Sequence, residues 1–126
     1  MKITAISKTE IRNDDFGDYY TTKDGTDVYE IRETGNECYH IMILIHELIE
    51  YTLLKQAGIP EEAVNKFDAE HPECDEPGAL KDAPYYKEHK FATKIEKMLC
   101  KKFGYNWNKY EDDLINIKHG KDKSER

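Results

Sequence analysis

An α+β fold is expected for this chain, with three main helices and a small N-terminal antiparallel β-sheet or hairpin. Three observations carry that expectation. Apolar residues run almost unbroken through Tyr39–Leu54 (YHIMILIHELIEYTLL), although 36% of the chain is charged against a usual share of about 25%. Phe91, Ala92, Ile95, Met98, Leu99 and Phe103 recur at helical spacing within Tyr85–Phe103. The N-terminal third carries short β-prone runs separated by a turn signal, Lys23-Asp24-Gly25. A chain of 126 residues is one domain by the usual prior. That domain is expected over 1–117, and 118–126 (KHGKDKSER) reads as a charged, disordered tail with nothing to bury.

In chain order, Met1–Ile6 reads as a short alternating strand. Residues 7–18 are polar and turn-rich, with Asn13-Asp14-Asp15 and Gly17. Tyr19–Thr22 and Thr26–Arg32 flank the Asp-Gly turn and predict a hairpin. Asn36 is a suitable N-cap for the central helix, and Gly58 followed by Pro60 is a stop signal. The central run is too long for a strand and apolar on nearly every side, so a core helix of about four to five turns fits. Pro60-Glu61-Glu62 opens a second helix ending near Glu70, with Ala63, Val64 and Phe67 as its stripe. Residues 71–84 (HPECDEPGALKDAP) form a loop, and a loop of this length in a compact domain is more often functional than idle. After the third helix, Gly104–Ile117 brings Trp107, Tyr110, Leu114 and Ile115 as a short helix or irregular cover for the core.

The formal net charge is −7, which argues against general binding to nucleic acid or to an anionic membrane surface. Lys101-Lys102 is a weak local exception. No apolar run approaches the roughly 18 residues of a membrane span. The three cysteines, Cys38, Cys74 and Cys100, form no CxxC pair, which speaks against a zinc knuckle and fits a reducing cytoplasm. Tyr85 and Tyr86 face a partner chain or cover the core, and the oligomeric state is open at this stage.

The chemistry concentrates in the central helix. His46, Glu47 and Glu50 stand inside its apolar run, where a charge is costly unless it is paired or binds a metal. His46 and Glu50 are i and i+4, one turn apart on one face, and Glu47 lies at the edge of that face. Two such ligands can hold one cation while the neighbouring carboxylate acts on its bound water. His89 borders the third helix's stripe and is the best third ligand, giving a three-ligand site with an open position. Glu88 or Glu96 could orient it from behind. In the long loop, His71, Cys74, Asp75, Glu76 and Asp82 are further possible ligands.

The string His46-Glu47-Leu48-Ile49-Glu50 resembles the zincin motif HExxH, whose helix supplies two zinc ligands and a general base. Glu50 stands where that motif has its second His. Zinc remains the first expectation, and the carboxylate equally suits manganese or iron. More widely, residues from about Val28 to Tyr110 resemble a family of small bacteriophage and prophage proteins of uncharacterised function. The motifs carrying the resemblance are His46-Glu47-x-x-Glu50, Phe67-Asp68, Glu76-Pro77-Gly78 and Glu88-His89-x-x-Ala92-x-x-Ile95-Glu96. The resemblance implies a phage or prophage setting in the host cytoplasm and adds Asp68 as an alternative or supporting ligand. Three readings follow: a metal-dependent hydrolase, peptidase-like, with Glu47 as base; a metal-binding protein without catalysis; and a metal-free phage accessory protein whose His and Glu residues form a buried network. The partner is an unspecified protein or small molecule.

Overall fold

A computed structural model describes residues 1–12 and 15–120. Strands β1 (Ile3–Lys8), β2 (Gly17–Thr21) and β3 (Asp27–Arg32) form one sheet in the order β1-β3-β2. Helices α1 (Glu37–Ala57), α2 (Glu61–Ala69), α3 (Tyr86–Lys102) and α4 (Trp107–His119) complete an α+β architecture. Among the described residues, no helix is long and apolar enough to cross a membrane.

The β2–β3 hairpin forms where the Asp-Gly turn places it, with Tyr19 opposite Tyr29 and Gly25 at φ 86°. That backbone conformation suits glycine because it has no Cβ. The sheet as a whole is mixed rather than antiparallel, since β1 runs parallel to β3 with Ile3 opposite Asp27. After β1 the chain crosses to the far edge before turning back, so β3 is inserted between its neighbours. Turn residues report a hairpin, whereas a parallel pairing leaves no local signal. The crossing segment is held by Arg32, a buried side chain whose Nε donates to the Asp15 carbonyl at 3.0 Å. This anchor carries Asp15, Phe16 and Gly17 over the middle of α1.

Asn36 caps α1 by accepting from the Tyr39 N–H at 3.1 Å, and Gly58 ends the helix at φ 73°. Its buried residues are Tyr39, Met42, Ile43, His46, Glu47, Glu50, Tyr51 and Leu54. Leu44, Ile45, Leu48 and Ile49 are only half-buried, and Ile41 is exposed. The helix thus turns its ionisable face inward and leaves aliphatic side chains nearer the surface. Tyr39, Met42 and Ile43 join one apolar cluster with Ile31, Cys100, Tyr110 and Leu114. Tyr51 and Leu54 join another with Tyr19, Tyr29, Val64, Ala83 and Tyr85. His46, Glu47 and Glu50 occupy the layer between.

Helix α3 is rotated from the expected stripe. Phe91 and Met98 are 49% and 61% exposed, whereas Ala92, Glu96 and Cys100 are buried. Two magnitudes explain the choice. Burying a Phe side chain gains about 1.5–3 kcal/mol, while leaving a buried ion without its partner costs about 3–5 kcal/mol. The helix therefore presents His89 and Glu96 to α1, and the fully buried Ala92 lets the two helices approach.

The final segment is a regular helix, not irregular cover. Asn106 caps α4 through the Lys109 N–H, and Gly120 closes it at φ 71°. The expected boundary at 117 falls inside this helix. Lys118 sets its ammonium over the Phe16 ring, 5.1 Å from the centroid, and reaches Asp75 at 3.4 Å. His119 Nε2 lies 2.9 Å from the same carboxylate. Of the expected tail, residues 121–126 lie outside the described residues.

Candidate metal centre

The middle of α1 and the start of α3 place three donor atoms around one point. His89 Nδ1 lies 2.8 Å from Glu50 Oε1 and 3.2 Å from His46 Nε2, and His46 Nε2 lies 3.6 Å from Glu50 Oε1. Four-coordinate zinc with bonds of about 2.0–2.1 Å puts neighbouring ligand atoms roughly 3.3 Å apart. The triangle has that size, so His46, Glu50 and His89 form a group within metal-binding distance.

The groups behind the triangle fix its donors. His46 Nδ1 donates to Glu96 Oε1 at 2.6 Å, which leaves the Nε2 lone pair facing the triangle in the neutral ring. The Tyr110 hydroxyl donates to the other Glu96 oxygen. His89 Nε2 faces Glu76 at 3.8 Å. A carboxylate behind a metal-binding imidazole sets its tautomer and raises its basicity. Glu96, expected to orient His89, thus orients His46, and Glu76 takes the place behind His89. Without a cation, a proton on His89 Nδ1 is donated to Glu50 Oε1 at 2.8 Å.

Burial alone would disfavour charge in this layer, but the ion pairs outweigh it at the triangle. Burial pulls the His89 imidazolium down, yet Glu50 and Glu76 raise its pKa to about 9. His46 is likewise raised well above the usual imidazole range by Glu50 and Glu96, against burial. Burial would raise Glu50, but hydrogen bonds from His46 and His89 hold it down at about 2. Glu47 has no such support. Burial first and the Glu50 charge second push its carboxyl well above the usual range.

The open side of the triangle faces a cavity of about 90 Å³ whose lining includes Glu47, Asp15, Asp68, Glu76 and Tyr19. One water needs about 10–15 Å³ by this measure, so there is space for a metal-bound water and a small substrate group. Burial and the neighbouring Asp68 raise Asp15 to about 8, and burial raises Asp68 to about 6 against a hydrogen bond from the Tyr85 hydroxyl. A buried carboxyl that holds its proton near neutral pH marks a place where a cation or a proton donor is favoured.

Two glycines let the backbone close on these groups. A Cβ on Gly17 would stand 2.7 Å from Glu47 Cγ, and one on Gly78 would stand 2.6 Å from both His89 Cγ and Tyr85 Cε2. Both contacts are far inside ordinary packing distance, and at Gly78 the obstacles are two rings, those of His89 and Tyr85. Gly78→Ala is accordingly expected to displace His89, weaken metal binding about 10–100-fold as loss of a supporting contact does, and leave the helical content intact. Titration against a chromophoric chelator, with circular dichroism on the same sample, checks both parts. Unchanged affinity would separate the 77–79 turn from the centre.

Other expected residues lie elsewhere. Glu88 is half-buried and does not line the cavity, and Asp82 is exposed. His71 donates from Nδ1 to the Phe67 carbonyl at 2.8 Å and stacks on its ring. Asp75 lines the cavity but pairs with Lys118 and His119. Cys74 is a half-buried free thiol. Asp68 lies on the cavity, bound to Tyr85 rather than to the triangle. Sequence reasoning missed Asp15, which reads as a turn residue, and Tyr19, Tyr85 and Tyr110, which read as β-prone or core aromatics. Gly78 alone had a signal, its place in the EPG string. Comparison of the chain with known protein families, with curated proteins and with solved structures finds no match.

Proposed function

We infer that this protein binds one divalent transition metal through His46, Glu50 and His89 and uses it to hydrolyse its substrate, with peptide and ester bonds as the first bond types to test. Zinc is the favoured ion, because two imidazoles and one carboxylate with an open fourth position match its catalytic donor sets; manganese and iron share the carboxylate preference. The observation that carries the reading is the convergence of the triangle and Glu47 on one cavity. A metal-bound water there would be acidified by the ion, and the ion's charge would draw down the raised pKa of Glu47, which lines the same cavity and could then take that proton. The host cytoplasm of a phage or prophage is the setting, on the sequence resemblance described above.

Elemental analysis of protein prepared without a metal-binding tag or chelator is expected to find about one ion per chain. Glu47→Gln is expected to keep that ion and to lower turnover by about 10²–10⁴, the usual worth of a positioned general base. The assay is a panel of peptide and ester substrates run with both proteins. Full activity in Glu47→Gln removes Glu47 from the chemistry. A metal-bound protein inactive on every substrate favours the second reading, in which the ion ties α1 to α3 without catalysis. The dense set of hydrogen bonds between those helices supports that alternative.

A further inference from the structure

Tyr19 projects from β2 with only 5% exposure, and its ring stacks on Tyr51 at a centroid distance of 4.6 Å. That packing fixes where the hydroxyl stands. Among the described residues the hydroxyl has no hydrogen-bond partner, although buried hydroxyls ordinarily have one. Two other buried tyrosines show the usual arrangement, since Tyr85 donates to Asp68 and Tyr110 donates to Glu96. The electrostatic neighbours of the Tyr19 hydroxyl are Glu50, Glu47 and Tyr85, and all of them line the same cavity. An ordinary phenol keeps its proton at neutral pH. A fixed donor therefore stands beside the triangle, near the Glu50 carboxylate but without a well-formed hydrogen bond to it.

We propose that Tyr19 is a catalytic residue of this centre, its hydroxyl donating a hydrogen bond to the oxygen that fills the metal's fourth position. The assignment rests on the metal-hydrolase reading above. A donor aimed at that oxygen stabilises it most when it carries negative charge, because hydrogen bonds to charged groups are the stronger ones. With a metal bound, Tyr19 would lower the pKa of its water, whose proton would pass to Glu47 or to solvent. The tyrosine itself loses no proton. A strand residue supplies the donor, so the sheet holds part of the chemistry and the helices hold the metal.

The test uses the full chain loaded with cobalt(II), whose visible absorption reports its coordination, titrated from about pH 5 to about pH 10. Wild type is expected to show one spectral midpoint for the bound water. Tyr19→Phe keeps the ring and its stacking. It is expected to bind cobalt with unchanged affinity and to shift that midpoint up by about one unit, the equivalent of one hydrogen bond to a charged group. Tyr39→Phe, which removes a hydroxyl bonded to Asp113 away from the cavity, is expected to leave the midpoint in place. An unchanged midpoint in Tyr19→Phe overturns the assignment. So does weaker cobalt binding with the same midpoint, which would make Tyr19 a support for Glu50. A wild-type spectrum that ignores pH overturns it too, while leaving the three-ligand site standing. Failure of wild type to bind cobalt removes the metal reading itself.

Discussion

His46→Ala is expected to lose stoichiometric metal and to melt about 10–20 °C below wild type even in chelator. The imidazole touches the site on both edges, with Nδ1 on Glu96 at 2.6 Å and Nε2 on His89 at 3.2 Å. Its removal takes one of the three proposed metal ligands, so the affinity loss should exceed the 10–100-fold typical of a supporting residue. In the chelated protein it also leaves Glu96, which is 7% exposed, with Tyr110 as its remaining donor. Breaking a buried ion pair from one side costs about 3–5 kcal/mol, and for a domain of this size each kcal/mol moves the melting point by several degrees. Elemental analysis and thermal denaturation by circular dichroism give the two numbers. Metal retained by both His46→Ala and His89→Ala would refute the ligand assignment. An unchanged melting point in chelator would show that the layer contributes no stability of its own.

The second large effect is a pH dependence whose direction reverses with metal. In the chelated protein His89 titrates at about 9 against about 6.5 in an unfolded chain. Folding therefore tightens its hold on the proton. The stabilisation is fully present below about pH 6.5 and is lost as the pH rises through 9, a change of roughly 3 kcal/mol. Glu50 works in the opposite sense, because its pKa is held at about 2. Its contribution is present above about pH 4.3 and disappears only as the pH falls through 2. Since His89 and Glu50 share one interaction, the energy counts once. The contribution of this pair should thus be fullest between about pH 4.3 and 6.5 and weaken toward pH 9, and the raised carboxyls of Asp15 and Asp68 add a decline in the same direction that begins at about pH 4. Metal binding must displace the His89 proton, so metal affinity should rise at least tenfold per pH unit up to about pH 9. Urea denaturation in chelator and competition titrations at several pH values test the two slopes. A flat affinity profile would mean that His89 does not bind the ion.

Much of the site was legible because helical spacing is a strong constraint. The i, i+4 relation of His46 and Glu50 fixes their common face, and the caps at Asn36 and Gly58 follow from local chemistry. His89 was legible as the third member of the group from its position beside an apolar stripe. The partner of each imidazole was not, because a helical wheel does not say how two helices are rotated against each other. The cost of unpaired ions set that rotation, and it sent Glu96 to His46 while exposing Phe91 and Met98. Asp15 and Tyr19 were illegible for a different reason. They reach the cavity through the crossing of the chain from β1 to the far edge of the sheet, and no short window of sequence records that path. The parallel β1–β3 pairing was hidden by the same crossing.

The layer of ionisable groups on α1 also bears on cooperativity. It separates an apolar cluster around Tyr29, Tyr51 and Leu54 from one around Met42, Cys100 and Tyr110, with Leu44 packing against both. Two oily halves joined through a charged seam have a natural line along which partial unfolding can divide them. Hydrogen-bonded histidines and carboxylates hold the seam on their own, and a metal ion at the proposed site would add its binding free energy to that hold. Whether this chain unfolds as one unit or as two is therefore set at a single point in the middle of α1.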